Sequence, residues 1–360
     1  MNSLKAHIEN EISRCGPISF ARFMELALYT PQLGYYEQQR QIGRHGDFFT
    51  SVSAGPLFGE LLARQFTQWL KANTSTHSPQ IIEPGAHLGT LATDILRWTQ
   101  RHEPELFDRL EYCLVEPSAT RRQWQEHTLV QWSPKIKWVD DIASLGRKEN
   151  FRIIFSNEFL DAMPVHRLVW NADEKKWDES IVACENGNFV WRFAPPPAEL
   201  AGQLPKIPSE LAAVLPAGYI IEHSPSAIGW WRKAGETLVH GKLLTIDYGL
   251  TGADWFRPER TQGTLRTFSR HHPGNDLLSH PGESDITAHV NFSAIEAAGI
   301  AAGLTTEVLM DQGKFLTKIM AEMQGQDAFG TWSPVRVKQF QTLTHPEHLG
   351  RAFRVLIQSR

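Results

Sequence analysis

Gln80-Ile81-Ile82-Glu83-Pro84-Gly85-Ala86-His87-Leu88-Gly89-Thr90-Leu91 is the stretch that decides the fold class. An apolar pair, Ile81-Ile82, runs into a glycine turn, and Leu88, Leu91, Ile95 and Trp98 follow at helical spacing. A second apolar run, Leu114-Val115, ends at Glu116-Pro117. Strand, glycine turn, helix and a second strand with an acidic end predict a doubly wound α/β sheet that binds an adenosine-containing ligand. Glycines at Gly85 and Gly89 let the backbone approach the ligand, and Glu116 is placed to accept from ribose hydroxyls. The spacing is E-x-G-x-x-x-G rather than G-x-G-x-x-G, which argues against a nicotinamide dehydrogenase.

Outward from this stretch, strands are expected at Gln80–Glu83, Glu111–Glu116, Ile136–Val139 and Arg152–Phe155, with helices between them. Alternation of this kind implies parallel strands and right-handed crossovers. Upstream, residues 4–15, 18–28 and 55–71 have helical periodicity, separated by a glycine- and aromatic-rich loop at 43–53. Downstream, residues 165–193 alternate as short antiparallel strands, 243–248 resume a buried strand, 292–303 and 313–323 read as helices, and 351–358 as a last strand. The polar stretch 250–290, rich in glycine, proline and histidine, reads as a long loop. The expected architecture is α/β and Rossmann-like: a mostly parallel seven-stranded sheet, an N-terminal helical extension and an insertion after strand four. The corresponding divisions are 1–75 (extension and active-site lid), 76–164 (cofactor-binding half), 165–240 (insertion, substrate side) and 241–360 (C-terminal half).

Composition narrows the function classes. The chain has 360 residues, 41% hydrophobic and 21% charged, the balance of a globular protein. A net charge of −4 argues against non-specific nucleic-acid binding, and twelve scattered tryptophans come without a basic stripe. No apolar run approaches the roughly 20 residues of a membrane helix. Cys15, Cys113 and Cys184 are far apart and show no C-x-x-C spacing, and residues 1–14 resemble neither a signal nor a transit peptide; a reduced, cytoplasmic protein is the expectation. Histidines 271, 272, 280 and 289 have no ligand spacing, so no metal is expected.

Several strings together carry a resemblance. They are Gly46-Asp47-Phe48-Phe49-Thr50-Ser51, Phe58-Gly59-Glu60-Leu61, Glu83 through Asp94, Asn157-Glu158-Phe159-Leu160-Asp161-Ala162-Met163-Pro164, Ile246-Asp247-Tyr248-Gly249, Gly263-Thr264-Leu265-Arg266 and Asp285-Ile286-Thr287-Ala288-His289-Val290-Asn291-Phe292. In this order the chain resembles the MidA family of class I S-adenosylmethionine-dependent methyltransferases over residues 16–320. The resemblance implies S-adenosylmethionine as cofactor and a protein arginine as acceptor. The family's mitochondrial member methylates a subunit of respiratory complex I, so a respiratory complex subunit is an implied partner. The chain departs from the family pattern at His87 and Leu88 (usually Gly and Arg), at Val52-Ser53 (usually Pro-Glu) and at Asn291 (usually Asp). A non-catalytic assembly or binding protein on the same fold is the alternative reading.

Candidate site residues follow from the two arguments together. For the cofactor they are Thr50, Ser51, Glu83, Gly85, Gly89, Thr90, Leu91, Glu116, Asp141, Ile142 and Asn157. Gly85 and Gly89 also suit an ordinary turn, Glu116 a solvated strand end, and Asp141 a helix N-cap. For catalysis they are Glu158, Asp161 and Asp247; Glu158 and Asp161, three apart, would share one face of a helical turn and could grip a guanidinium. Asp161 also suits a cap, and Asp247 a strand-end turn. For the acceptor they are Asp47 and His289.

Overall fold

The computed structural model describes residues 3–39, 50–73, 78–205, 207–269, 272–274, 276–322 and 332–360. Its main sheet contains β1 (Gln80–Pro84), β2 (Glu111–Val115), β3 (Ile136–Val139), β4 (Lys148–Asn157), β5 (Leu238–Leu250), β6 (Thr305–Asp311) and β7 (Phe353–Ser359). Their spatial order is β3-β2-β1-β4-β5-β7-β6, and a short eighth strand, Val290–Asn291, pairs with the end of β5. β1 to β5 are parallel, while β7 runs antiparallel to both β5 and β6. This is the expected class I methyltransferase sheet.

Neighbouring residues in the central strands face opposite cores, which is why these strands read as continuous apolar runs. Ile81, Ile153 and Leu244 pack with Leu61, Leu62 and Phe66 of helix Leu57–Ala72 and Ile95 of helix Thr90–His102. Ile82, Ile154 and Leu243 pack with Ala227 and Trp231 of helix Pro225–Thr237 and Ile295 of helix Phe292–Ala301. Helix Pro225–Thr237, which falls in the stretch 165–240, therefore covers the main sheet.

The alternating stretch after β4 forms antiparallel strands His166–Asn171, Lys176–Glu185 and Asn188–Ala194, joined by Ile220–His223 and by Ile18–Ser19 from the N-terminal region. Helices Leu4–Cys15 and Phe20–Tyr29 pack on this second sheet through Ile8, Phe20, Phe23 and Val182. The extension and the insertion thus share one apolar core. The expectation of a long loop at 250–290 is corrected: Arg266–Ser269, His272–Gly274 and Asp285–Thr287 form a three-stranded sheet. Its strands are only three or four residues long, too short for a periodic signal.

Candidate active site

The carboxyl ends of β1 to β5 open into a cavity of about 1790 Å³. Open α/β sheets bind ligands at this edge because strand ends and the helix N-termini that follow them converge there. Its far wall comes from Tyr29, Tyr36, Glu37, Thr50 and Ser53 on the N-terminal side, and from Asp285 and His289.

At the β1 end the turn carries three positive φ angles, Gly85 (66°), His87 (47°) and Gly89 (82°). A Cβ on Gly85 would stand 2.6 Å from the Phe159 ring, and one on Gly89 would stand 2.8 Å from Leu129 Cδ1. Glycine is therefore required at both for packing as well as conformation. His87 adopts the left-handed conformation despite its Cβ, at a cost of about 1–2 kcal/mol. Its carbonyl accepts from Gln125 Nε2 at 3.1 Å. Burial, helped by the Arg121 guanidinium, holds the His87 imidazole down to about 4, so it is neutral.

Glu83 is buried beneath this turn, accepts from Tyr112 Oη at 2.5 Å, and is pushed up to about 7 by burial. Glu116, at the end of β2, accepts from Ser118 N–H at 3.0 Å and Gln125 Nε2 at 3.1 Å, and pairs with Arg121 Nη2 at 2.9 Å. Asp141 and Ile142 both reach the cavity, and Asp141 also caps the turn behind them by accepting from Ala143 N–H at 2.7 Å. The two readings of Asp141 are compatible. Thr90, Leu91 and Asn157 also line the cavity, and Asn157 Oδ1 is buried without a hydrogen-bond partner among the described residues. Two expected cofactor residues stand off the wall. Gly89 packs against Leu129, and Ser51 is wholly buried, its Oγ donating to Gln312 Oε1 at 3.1 Å.

At the end of β4, Glu158 has φ 50° and is held there by its N–H donating to Ile246 O at 2.9 Å. Strained backbone of this kind concentrates at functional sites. Glu158 Oε1 accepts from Ser51 N–H at 3.1 Å and Asn157 Nδ2 at 3.0 Å. Burial pushes its carboxyl up to about 8, with Asp247 and Asp285 adding repulsion. Asp161 and Asp285 are buried on the same cavity, and burial with the surrounding carboxylates pushes Asp161 well above its ordinary range. Tyr36 Oη donates to Asp285 Oδ1 at 2.8 Å.

The expected helical turn at 158–161 is corrected. The segment is a non-helical turn wrapped around Asp247, whose Oδ2 accepts from the N–H groups of Phe159 (3.1 Å), Leu160 (2.9 Å) and Asp161 (3.4 Å). Its Oδ1 accepts from Tyr248 N–H at 2.8 Å. Asp247 is wholly buried behind the turn and off the cavity wall, so it positions Glu158 and Asp161 rather than meeting a ligand. His289 is on the wall with Nδ1 buried and unpartnered among the described residues, and burial holds its imidazole down to about 4. Asp47 lies outside the described residues. Sequence reasoning missed Tyr29, Tyr36, Arg121, Gln125 and Asp285. Asp285 opens a quoted string and was the one within reach; the others carry no local signal.

Residues 61–310 match the family described as "Putative S-adenosyl-L-methionine-dependent methyltransferase". The chain belongs to that family. A COG1565 superfamily member from Burkholderia thailandensis, solved with S-adenosyl-homocysteine bound, is 32% identical with a TM-score of 0.82 over 99% of this chain and 92% of its own. Two curated relatives, from Danio rerio and Homo sapiens, are named protein arginine methyltransferase NDUFAF7, mitochondrial. They are 29% and 28% identical over 98% and 96% of this chain, and the matches span 85% and 81% of the relatives. The mitochondrial relatives overturn the cytoplasmic expectation. Dispersed, unpaired cysteines signal a reducing environment without saying which compartment provides it.

The methyltransferase cofactor is S-adenosylmethionine, and the wall suits it. A close-approach glycine turn, the Glu116 carboxylate and the unspent Asn157 Oδ1 acceptor offer the backbone space and the acceptors that an adenosyl and amino-acid ligand needs. Among the described residues no helix is long and apolar enough to cross a membrane.

Two expected results concern this end of the cavity. Replacing Glu116 by alanine should weaken S-adenosyl-homocysteine binding by about 1–3 kcal/mol, the range for a hydrogen bond to a charged group. Calorimetry that finds equal affinity in a folded variant removes Glu116 from the ribose site. Replacing His87 by glycine relieves the left-handed strain and clears a side chain from the wall, so affinity should rise about threefold to tenfold. Superimposable titrations of parent and variant would reject this.

Proposed function

We propose that this methyltransferase acts on an arginine side chain of a protein, with Glu158, Asp161 and Asp285 forming the guanidinium seat. The observation that carries the reading is three acidic side chains facing one cavity near the turn of β1, close enough that Asp285 repels both Glu158 and Asp161. A guanidinium is planar, permanently charged and bidentate toward carboxylates, so it is the side chain that such a cluster suits. The names of the curated relatives point the same way. The reading extends to a respiratory complex subunit as the acceptor, supported by the family resemblance.

When bound, S-adenosylmethionine would supply an electrophilic methyl group on a positively charged sulfur, the S–C bond to that methyl breaking with its electron pair left on the neutral thioether of S-adenosyl-homocysteine. The chain's residues do the rest. Glu158 is fixed by Ser51 N–H and Asn157 Nδ2 so that its remaining lone pairs face the cavity. Burial favours the protonated forms of Glu158 and Asp161, and a cation in the seat displaces those protons. The guanidinium (pKa about 12.5 or above) must lose one N–H proton as the new N–C bond forms, and Glu158 accepts it. Asp161 and Asp285 stay charged and hold the other nitrogens. The stacked rings of Tyr29 and Tyr36, 5.5 Å apart between centroids, flank the seat and limit its water.

The test is transfer of labelled methyl from S-adenosylmethionine to proteins of an extract, followed by acid hydrolysis and identification of the methylated residue. Methylarginine is the expected product. A methylated residue of another type, or no labelling with cofactor binding confirmed, would refute the arginine reading, and the latter would favour the non-catalytic alternative.

A further inference from the structure

The end of helix Phe20–Tyr29 and the segment after it bring Tyr29, Tyr36 and Glu37 to the cavity. They meet the cofactor side through Arg121 and Ser118. Arg121 Nη2 lies 2.9 Å from Glu116 Oε1, and the Arg121 Nε lies 3.7 Å from Glu37 Oε1. The guanidinium carbon stands 5.8 Å from the centroid of the Tyr29 ring. Ser118 joins the same two acids: its N–H donates to Glu116 Oε1 at 3.0 Å and its Oγ to Glu37 Oε2 at 2.9 Å. The side chains of Glu116 and Glu37 are 3% and 6% exposed, so two buried carboxylates share one guanidinium. Arg121 Nε is itself buried with no hydrogen-bond partner among the described residues, a donor still unspent next to Glu37.

We propose that Arg121 is a positioning residue that couples cofactor binding at Glu116 to the placement of the wall carrying Tyr29, Tyr36 and Glu37, so that the acceptor seat is completed after the cofactor binds. The inference rests on Glu116 as the cofactor's ribose acceptor. Ribose hydroxyls that bond to Glu116 compete with Arg121 for its lone pairs. The guanidinium then gives more of itself to Glu37, and Nε closes the remaining gap to a hydrogen bond. Tyr29 lies against the guanidinium and Tyr36 stacks on Tyr29, so the tightening reaches the ring beside Asp285. Lysine cannot serve both acids, because it lacks the planar fork.

Hydrogen exchange read by mass spectrometry tests this, on the full chain with and without saturating S-adenosyl-homocysteine. In the parent protein the ligand should slow exchange of residues 29–39 by about tenfold, in addition to protecting the turn at 85–91. In Arg121→Met and Arg121→Lys the turn should still gain protection while residues 29–39 gain little. Glu37→Gln keeps the Glu116–Arg121 pair and should lose the same remote protection, which guards against a misfolded Arg121 variant. Equal protection of 29–39 in parent and variants overturns the coupling. So does a parent in which the ligand protects 85–91 alone. If Glu116→Ala binds S-adenosyl-homocysteine as tightly as the parent, the ribose reading fails, and the coupling falls with it.

Discussion

Glu158→Gln should fold, bind S-adenosyl-homocysteine as the parent does, and lose methyl transfer by about 100-fold to 1000-fold, the range for removing one preorganised group that meets developing charge. The amide keeps the size of Glu158 and can still accept from Ser51 N–H, but it neither balances a guanidinium nor takes its proton. Labelled-methyl incorporation by parent and variant in parallel reads the loss. A variant that retains most of the activity would take Glu158 out of the mechanism.

The same carboxyl sets two pH dependences. Its ionised form is the one that receives the cation, and burial places its folded value at about 8, so kcat/KM of the parent should rise with pH through about 8. Stability of the ligand-free protein runs the other way. The folded state holds a proton that the unfolded chain releases near the ordinary value of 4.5. Glu158 therefore contributes stability that is full below 4.5 and lost as pH rises through about 8. Thermal melts of Glu158→Gln between pH about 6 and about 9 should fall less steeply than those of the parent. Parallel curves would show that the raised value belongs to another member of the cluster.

Asp247→Ala should be the most damaging single change to folding near the site. It leaves the N–H groups of Phe159, Leu160, Asp161 and Tyr248 without the acceptor that the wholly buried Asp247 carboxylate provides. A buried donor left unsatisfied costs about 1–3 kcal/mol, and several at once, partly relieved by water, imply a loss of about 3 kcal/mol or more. Urea denaturation measures it. Asp247→Asn retains an acceptor oxygen for part of the turn and should lose about half as much. An alanine variant with an unshifted midpoint would show that the turn finds its acceptors elsewhere.

What the sequence determined by itself was whatever local pattern can carry. The apolar runs of β1, β2, β4 and β5, the helical spacings and the glycine turn at Gly85–Gly89 encode the doubly wound sheet. A parallel strand buried on both faces must be apolar throughout, and a turn that approaches a ligand must lack side chains. The same strings led to Glu83, Glu116, Asn157, Glu158 and Asp161, because ligands in this fold gather at strand ends. Tertiary structure decided the rest. Asp247 and Ser51 looked like site residues on their strings. They turn inward, because the donors of the 158–161 turn and Gln312 claim their oxygens. Tyr29 and Tyr36, Arg121 and Gln125, and Asp285 come from three distant parts of the chain, and apart from Asp285, which opens one of the quoted strings, nothing local ties them to a cofactor or an acceptor. Their shared position arises when the N-terminal helices pack on the inserted sheet and bring one wall over the carboxyl edge of the other sheet. A site made by packing between remote segments leaves no spacing to read, since its distances are set across the fold and not along the chain.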